Sequence, residues 1–246
     1  MGKRYETYDK VASLLMRTPE QIAKIKLTES APFSFNGLLS NADVENLLAY
    51  YFLHQDSVIK KSTGPSVLKL DNNSPVLVNI VKQLSNVIGN FEIRYAHFFD
   101  VTDPHIIHND DTFDYPNCFK AFTIPLKIYG DLNDIHLVVF DQHYYGGPAK
   151  FVAGEDTSTY NIHYNTLLTN YIDVDGLNNN GVNPEIFDKY LTHLRPEWVT
   201  GLSINKMLSW TVGSVLTFDS LALHCSTDFR NIGVERKIGL SIFTVI

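Results

Sequence analysis

The sequence predicts a mainly β protein with flanking helices, its core a double-sheet jelly roll (double-stranded β-helix). Helical spacing is concentrated in the first 90 residues. From Phe91 the apolar period changes from helical to alternating. The remaining chain reads as about eight short strands separated by turns, which fits two packed sheets with helices outside one of them.

Composition supports one sizeable core. Of the 246 residues, 44% are hydrophobic and 19% charged, which argues against disorder. The 15 Phe, 13 Tyr and 2 Trp favour strands and a lined pocket. A net charge of -7 gives no electrostatic footprint for nucleic acid or an anionic membrane. Two cysteines, Cys118 and Cys225, are too few for a disulfide scaffold or a Cys-rich zinc site. The N-terminus has no apolar signal region, and no run approaches the roughly 20 apolar residues that span a bilayer. These features predict a soluble, cytoplasmic protein; oligomeric state is not legible.

Taken in order, Tyr8 to Met16 has helical spacing, and Thr18-Pro19-Glu20-Gln21 reads as an N-cap with Pro at the first helical position. Ala31 to Phe35 is an extended entry. Asn41 to Leu53 is an amphipathic helix with a capping Asn or Asp, and Gly64-Pro65-Ser66 is a turn. Asn73-Ser74-Pro75 opens a second clear helix, Val76 to Val87, stopped by Gly89. Phe91 to Val101 is a strand broken by Asp103-Pro104, Phe119 to Leu126 a strand ending near its Pro125, and Ile135 to Phe140 another. A loop is expected from Asp141. Pro184 to Leu194 is a short helix candidate, and strands resume at Ser209–Thr211, Ser214–Phe218 and Lys237–Val245.

The domain reading is one unit, 1–246. Residues 1–90 form a helical flank, 91–145 and 205–246 the jelly-roll core, and 146–204 an insertion or lid.

Chemistry concentrates in His105-Ile106-Ile107-His108-Asn109-Asp110-Asp111. In an extended segment, positions two apart share a face, so His108 and Asp110 can reach one metal ion. His224, near the end of the segment from Gly213, is the best third ligand. Two His and one carboxylate with the opposite metal face open suit non-haem Fe(II).

The segment Gly213 to Ser226, with Val215-Leu216-Thr217-Phe218-Asp219-Ser220 before His224, resembles the distal-histidine strand of Fe(II)/2-oxoglutarate-dependent dioxygenases, particularly their phytanoyl-CoA-hydroxylase-like branch. His108-Asn109-Asp110 matches that family's His-x-Asp. The resemblance covers roughly residues 91–145 and 205–246. It implies an Fe(II) centre on His108, Asp110 and His224, with 2-oxoglutarate and O2 as cosubstrates. It also implies a base some ten positions after the distal His that holds the far carboxylate of 2-oxoglutarate. Arg236 and Lys237 compete for that role. Alternation puts Ile238, Leu240 and Ile242 on one apolar face and Lys237, Gly239 and Ser241 on a small, polar one, which favours Lys237, with Ser241 beside the cosubstrate. Arg236 stays open because a guanidinium offers a carboxylate a bidentate fork.

His143, Tyr144 and Tyr145, ahead of Gly146-Gly147, suit a substrate lid. Arg94, Tyr95 and His97 lie on the strand feeding the metal motif, with Tyr95 and His97 on one face. The implied activity is hydroxylation of a small molecule with release of succinate and CO2. A cupin-like metal-binding or scaffolding protein without oxygenase activity, and a zinc-dependent hydrolase, are the alternatives. No Gly-x-Ser-x-Gly elbow supports a serine hydrolase.

Overall fold

A computed structural model describes residues 17–60, 65–110, 118–130, 134–145 and 181–246. The expected helix at Tyr8–Met16, Gly64 of the expected turn, Asp111, and residues 146–180 of the expected insertion lie outside the described residues.

Each N-terminal helix starts where its sequence supplies a cap. Thr18 and Gln21 form a capping box ahead of α1 (Pro19–Lys26), with Pro19 in the first turn. α2 (Asn41–Leu53) is capped by Ser40, whose Oγ accepts from Asp43 N, while the Asp43 carboxylate accepts from Ser40 N. The cap therefore lies one residue before the Asn expected from sequence. α3 (Pro75–Ile88) opens on Ser74, which accepts from Leu77 N, and stops at Gly89, where φ is 87°.

The strands are β1 (Phe33–Phe35), β2 (Ser66–Leu70), β3 (Glu92–Val101), β4 (Cys118–Gly130), β5 (His136–His143), β6 (Ile204–Ser209), β7 (Val215–Asp219), β8 (Ala222–Ser226) and β9 (Val234–Val245). A short α4 (Pro184–Tyr190) lies between β5 and β6. β1-β7-β4-β9-β3-β2 form one antiparallel sheet, and β6-β5-β8 a smaller one. The jelly-roll expectation holds.

Several boundaries differ from expectation. β4 does not end near Pro125. A register shift between Pro125 and Lys127 absorbs the missing N–H, and the strand runs on to Gly130. β5 continues through His143, where a loop was expected from Asp141. β6 ends at Ser209, and the expected 209–211 strand is instead mostly the turn into β7. β2 begins at Ser66, inside the expected Gly64-Pro65-Ser66 turn.

Alternation along the strands sorts three layers. On the outer face of the larger sheet, Leu47 and Tyr51 of α2 and Leu77, Ile80 and Leu84 of α3 pack on Phe98, Phe122, Ile124, Leu240 and Ile242. Each such side chain contributes about 1.5–3 kcal/mol by leaving water. Leu191, Leu194, Trp198, Val199 and Leu202 cover the outer face of the smaller sheet at Val138, Phe140, Leu223 and Cys225. Between the sheets lie Ala121, Leu137, Val139, Leu216, Phe218, Ala222 and Phe243. α1 takes neither face: Ile22 and Ile25 pack on Tyr145 and Leu221, at the β7–β8 turn.

Candidate metal centre

β8 is pinned on one side by β5, with His224 opposite Val139. On its other side the chain segment 105–110 takes the place of a fourth strand. His108 N donates to His224 O at 3.0 Å and His224 N to His108 O at 2.8 Å, so the two histidines face each other as a bridge pair. One step along, Ser226 N donates to His105 O and His105 N to Ser226 Oγ. Ile107, Leu223 and Cys225, the alternate positions, are buried in the outer cluster. Period-two geometry therefore sends His108 and His224 inward. Asp110 is set by its own N–H, which donates to Ser220 O at 2.9 Å in the β7–β8 turn.

The result is a convergence of acceptors. One ligand atom from each of His108, Asp110 and His224 lies within 4.8 Å of the others. His108 Nε2 is 3.7 Å from Asp110 Oδ1, and His224 Nε2 is 3.5 Å from Asp110 Oδ2. His108 Nδ1 contacts Ile106 O at 2.8 Å and His224 Nδ1 contacts Ala222 O at 3.0 Å. A carbonyl only accepts, so both Nδ1 atoms carry the proton and both Nε2 lone pairs face the carboxylate. Burial pulls each imidazole down to about 4, and burial pushes the Asp110 carboxyl up to about 6. At neutral pH the cluster is two neutral imidazoles and one carboxylate, with no donor of its own to satisfy them. That donor set fits a divalent cation such as Fe(II). Phe218 backs the His224 ring at 4.5 Å and His105 backs the His108 ring at 3.9 Å, which restricts both rings.

No family model and no curated protein matches this chain by sequence. Solved structures do match it by shape. A Pseudomonas putida prolyl-4-hydroxylase superposes with a TM-score of 0.51 at 11% identity, over 92% of this chain and 99% of that one. The non-haem α-ketoglutarate-dependent epimerase SnoN from nogalamycin biosynthesis gives 0.50 at 10% identity, over 93% and 83%. The chain has the fold of the Fe(II)/2-oxoglutarate oxygenases. The likeness is one of fold, and it does not distinguish the phytanoyl-CoA-hydroxylase-like branch.

Within this oxygenase fold, the two basic candidates on β9 diverge. Arg236 turns outward: its Nε and Nη2 take both oxygens of Asp100 at 2.7 and 2.6 Å, and Tyr51 OH donates to the same carboxylate. Lys237 turns between the sheets and is 2% exposed. Its Nζ lies 4.2 Å from the ring centroids of both Trp210 and Phe229. No hydrogen bond or ion pair reaches it among the described residues. Burial pulls its ammonium down to about 7. Trp210 Nε1 is likewise buried without an acceptor. Two unsatisfied donors side by side suit a buried anion such as a carboxylate. Ser241 lies on the same inner face, opposite Thr123 and His97.

The expected lid residues are not in a free loop. His143 ends β5 and bonds Asp219 Oδ2 through Nε2 at 3.2 Å. Burial works against its charge, but the Asp219 hydrogen bond and the nearby Glu29 outweigh burial and raise its pKa. Tyr145 is buried, its OH donating to Glu29 and its carbonyl accepting from Arg17 at 2.8 Å. Tyr144 N donates to Leu221 O, and its ring packs with the 182–204 cover.

The Trp210–Phe229 cage and the Lys120–Asp219–His143 cluster were not foreseen. Their partners come from different turns and strands, so no local spacing announces them. Phe218 and His105 had a local signal, since both sit inside the segments already singled out.

Proposed function

We propose that the protein is a non-haem Fe(II)- and 2-oxoglutarate-dependent dioxygenase that hydroxylates a small molecule. The observation that carries the reading is the inward convergence of His108 Nε2, His224 Nε2 and Asp110, with each Nδ1–H tied to a carbonyl. The α-ketoglutarate-dependent epimerase and the prolyl-4-hydroxylase of the same fold supply the chemistry brought to this chain.

His108, Asp110 and His224 would hold the iron through one ligand atom each. Bound Fe(II) with 2-oxoglutarate and O2 supplies the oxidising power, with succinate and CO2 as co-products. Lys237 and Trp210 Nε1 would hold the far carboxylate of 2-oxoglutarate, and Ser241, on the same inner face of β9 as Lys237, would line the same space. Phe218, against the His224 ring, and Val139, paired with His224, would keep water from that side of the metal. A zinc hydrolase or a metal-binding scaffold has no use for a caged ammonium, so Lys237 favours the oxygenase.

The test is release of labelled CO2 from 1-labelled 2-oxoglutarate by Fe(II)-loaded protein, with and without candidate small molecules. Release that disappears in His108→Ala and needs more 2-oxoglutarate in Lys237→Met is the expected outcome. A folded, iron-loaded protein that releases none rejects the proposal.

A further inference from the structure

A glycine inside a central strand gives up side-chain packing and backbone entropy, so its place needs a reason. Gly239 sits in the middle of β9, with Phe99 of β3 opposite it on one side and Pro125 of β4 on the other. Side chains opposite each other on a sheet normally stand side by side. Phe99 instead lies down over the glycine. A Cβ built on Gly239 would fall 2.4 Å from Phe99 Cζ and 2.8 Å from Phe99 Cε1, with Ile124 O at 3.1 Å. Ordinary contact begins at 3.4 Å, so an alanine here would displace the ring by about 1 Å. The clashing atoms are the far end of a side chain. The ring therefore yields before the strand does, and the displacement passes to whatever the ring touches.

What it touches is the cage of Lys237. Phe99 meets Trp210 edge to face, with centroids 5.8 Å apart and planes at 70°. Trp210 in turn offers its ring to Lys237 Nζ at 4.2 Å. Among the described residues nothing accepts from Trp210 Nε1, so packing rather than a hydrogen bond sets the direction of the indole. Lys237 lies two positions before Gly239 on β9, opposite Val101, and Val101 lies two positions after Phe99 on β3. Gly239, Phe99, Trp210 and Lys237 thus form one chain of contacts on the inner face. An aromatic ring laid over a strand glycine also steadies a sheet. That role alone would change unfolding and leave the cage as it is.

We propose that Gly239 and Phe99 are positioning residues for the anion site at Lys237. The missing Cβ lets the Phe99 ring lie on β9, and from there the ring sets the indole of Trp210, with its Nε1 donor and the face that meets the ammonium. The inference rests on the oxygenase reading for the identity of the anion, the far carboxylate of 2-oxoglutarate. It does not rest on that reading for the positioning of the cage, and the test separates the two.

The test is a double-mutant cycle of Gly239→Ala and Phe99→Leu in Zn(II)-loaded protein, since leucine lacks the Cε1 and Cζ atoms that the new methyl would strike. Two quantities are read: the indole N–H resonance of Trp210, assigned by its loss in Trp210→Phe, and the Kd for 2-oxoglutarate by isothermal titration. Gly239→Ala is expected to shift the resonance and weaken binding about tenfold, with the visible bands of the Co(II)-loaded variant unchanged. In the Phe99→Leu background the same alanine should change neither quantity further. An unmoved resonance, an unchanged Kd, or equal effects of the alanine in both backgrounds overturns the proposal, including the case in which only stability in urea falls. If Gly239→Ala does not fold, Phe99→Leu decides by itself. It should shift the resonance and weaken binding about threefold through the lost edge contact, and unchanged values overturn the proposal. A resonance that follows the cycle in a protein that binds no 2-oxoglutarate, wild type included, keeps the positioning and removes the oxygenase reading.

Discussion

Among the described residues, the buried Asp219 and Asp110 clusters both combine histidine with aspartate, and they do opposite things. Around Asp219 every group has a counterpart. Lys120 Nζ pairs with its carboxylate and also donates to Thr28 O and Ser30 Oγ, each at 2.9 Å. Ser30 N donates to the same carboxylate at 3.2 Å, and His143 Nε2, also at 3.2 Å, donates in the protonated ring, whose Nδ1–H faces Asp141 O and whose charge Asp219 favours. This cluster ties the segment after α1 to β4, β5 and the β7–β8 turn. Around Asp110, by contrast, two Nε2 lone pairs face a carboxylate and, among the described residues, no side chain donates to them. Burial of ionisable groups is common to both; only the second is electrostatically incomplete without a cation. The difference marks the site more sharply than residue type or burial does.

Removing a ligand should have the largest effect. His224→Ala or His108→Ala is expected to weaken metal binding by more than the 10–100-fold lost when an outer-shell partner is removed, measured by Co(II) titration. Breaking the complete cluster should act on stability instead. Lys120→Met strands a buried carboxylate and is expected to cost about 3–5 kcal/mol in urea unfolding, while the Co(II) bands of the folded variant stay unchanged. If Lys120→Met altered the bands, the two clusters would not be independent.

Within β9 the same contrast recurs on a smaller scale. Lys237→Met should raise the Kd for 2-oxoglutarate about 30-fold, roughly 2 kcal/mol, without changing metal affinity. Arg236→Ala, whose partner Asp100 lies on the outer side, should leave that Kd unchanged. The reverse pattern in isothermal titration would move the cosubstrate to the other base.

The smallest expected effect is a pH dependence of metal uptake. All three ligands bind metal deprotonated. As pH falls, Asp110 takes its proton first, near 6, and the imidazoles theirs near 4. Affinity should therefore be level above about pH 7, decline through 6 and steepen toward 4. In the metal-free protein Asp110 works the other way, because its raised pKa favours the folded state when protonated and that contribution is lost as pH rises through about 6. A metal affinity that did not fall through pH 6 would place the Asp110 carboxylate outside the coordination sphere.

Much of this was legible where the information is local. His108 and Asp110 are two residues apart, so their convergence follows from extended geometry. The alternation of Lys237, Gly239 and Ser241 against Ile238, Leu240 and Ile242 sorted β9 into an inner and an outer face, and Arg236 into the outer one. Caps at Thr18 and Ser74 set two helix starts. Legibility failed where tertiary pairing overrides local chemistry. Pro125 reads as a strand end, yet a register shift carries β4 past it. Gly239 reads as merely small, but a Cβ there would run into the Phe99 ring packed on it from the neighbouring strand. The cage around Lys237 comes from Trp210 and Phe229, on two separate turns. His143 and Tyr145 read as a lid because the donors and acceptors that fix them, Asp219, Glu29 and Arg17, are distant in sequence.

The most direct test is anaerobic addition of Fe(II) and then 2-oxoglutarate to the metal-free protein, followed by visible absorption. The expected result is the weak charge-transfer band of an iron-chelated keto acid, absent in His224→Ala and requiring more 2-oxoglutarate in Lys237→Met. Folded protein that takes up Fe(II) but develops no band at any 2-oxoglutarate concentration would contradict the oxygenase reading.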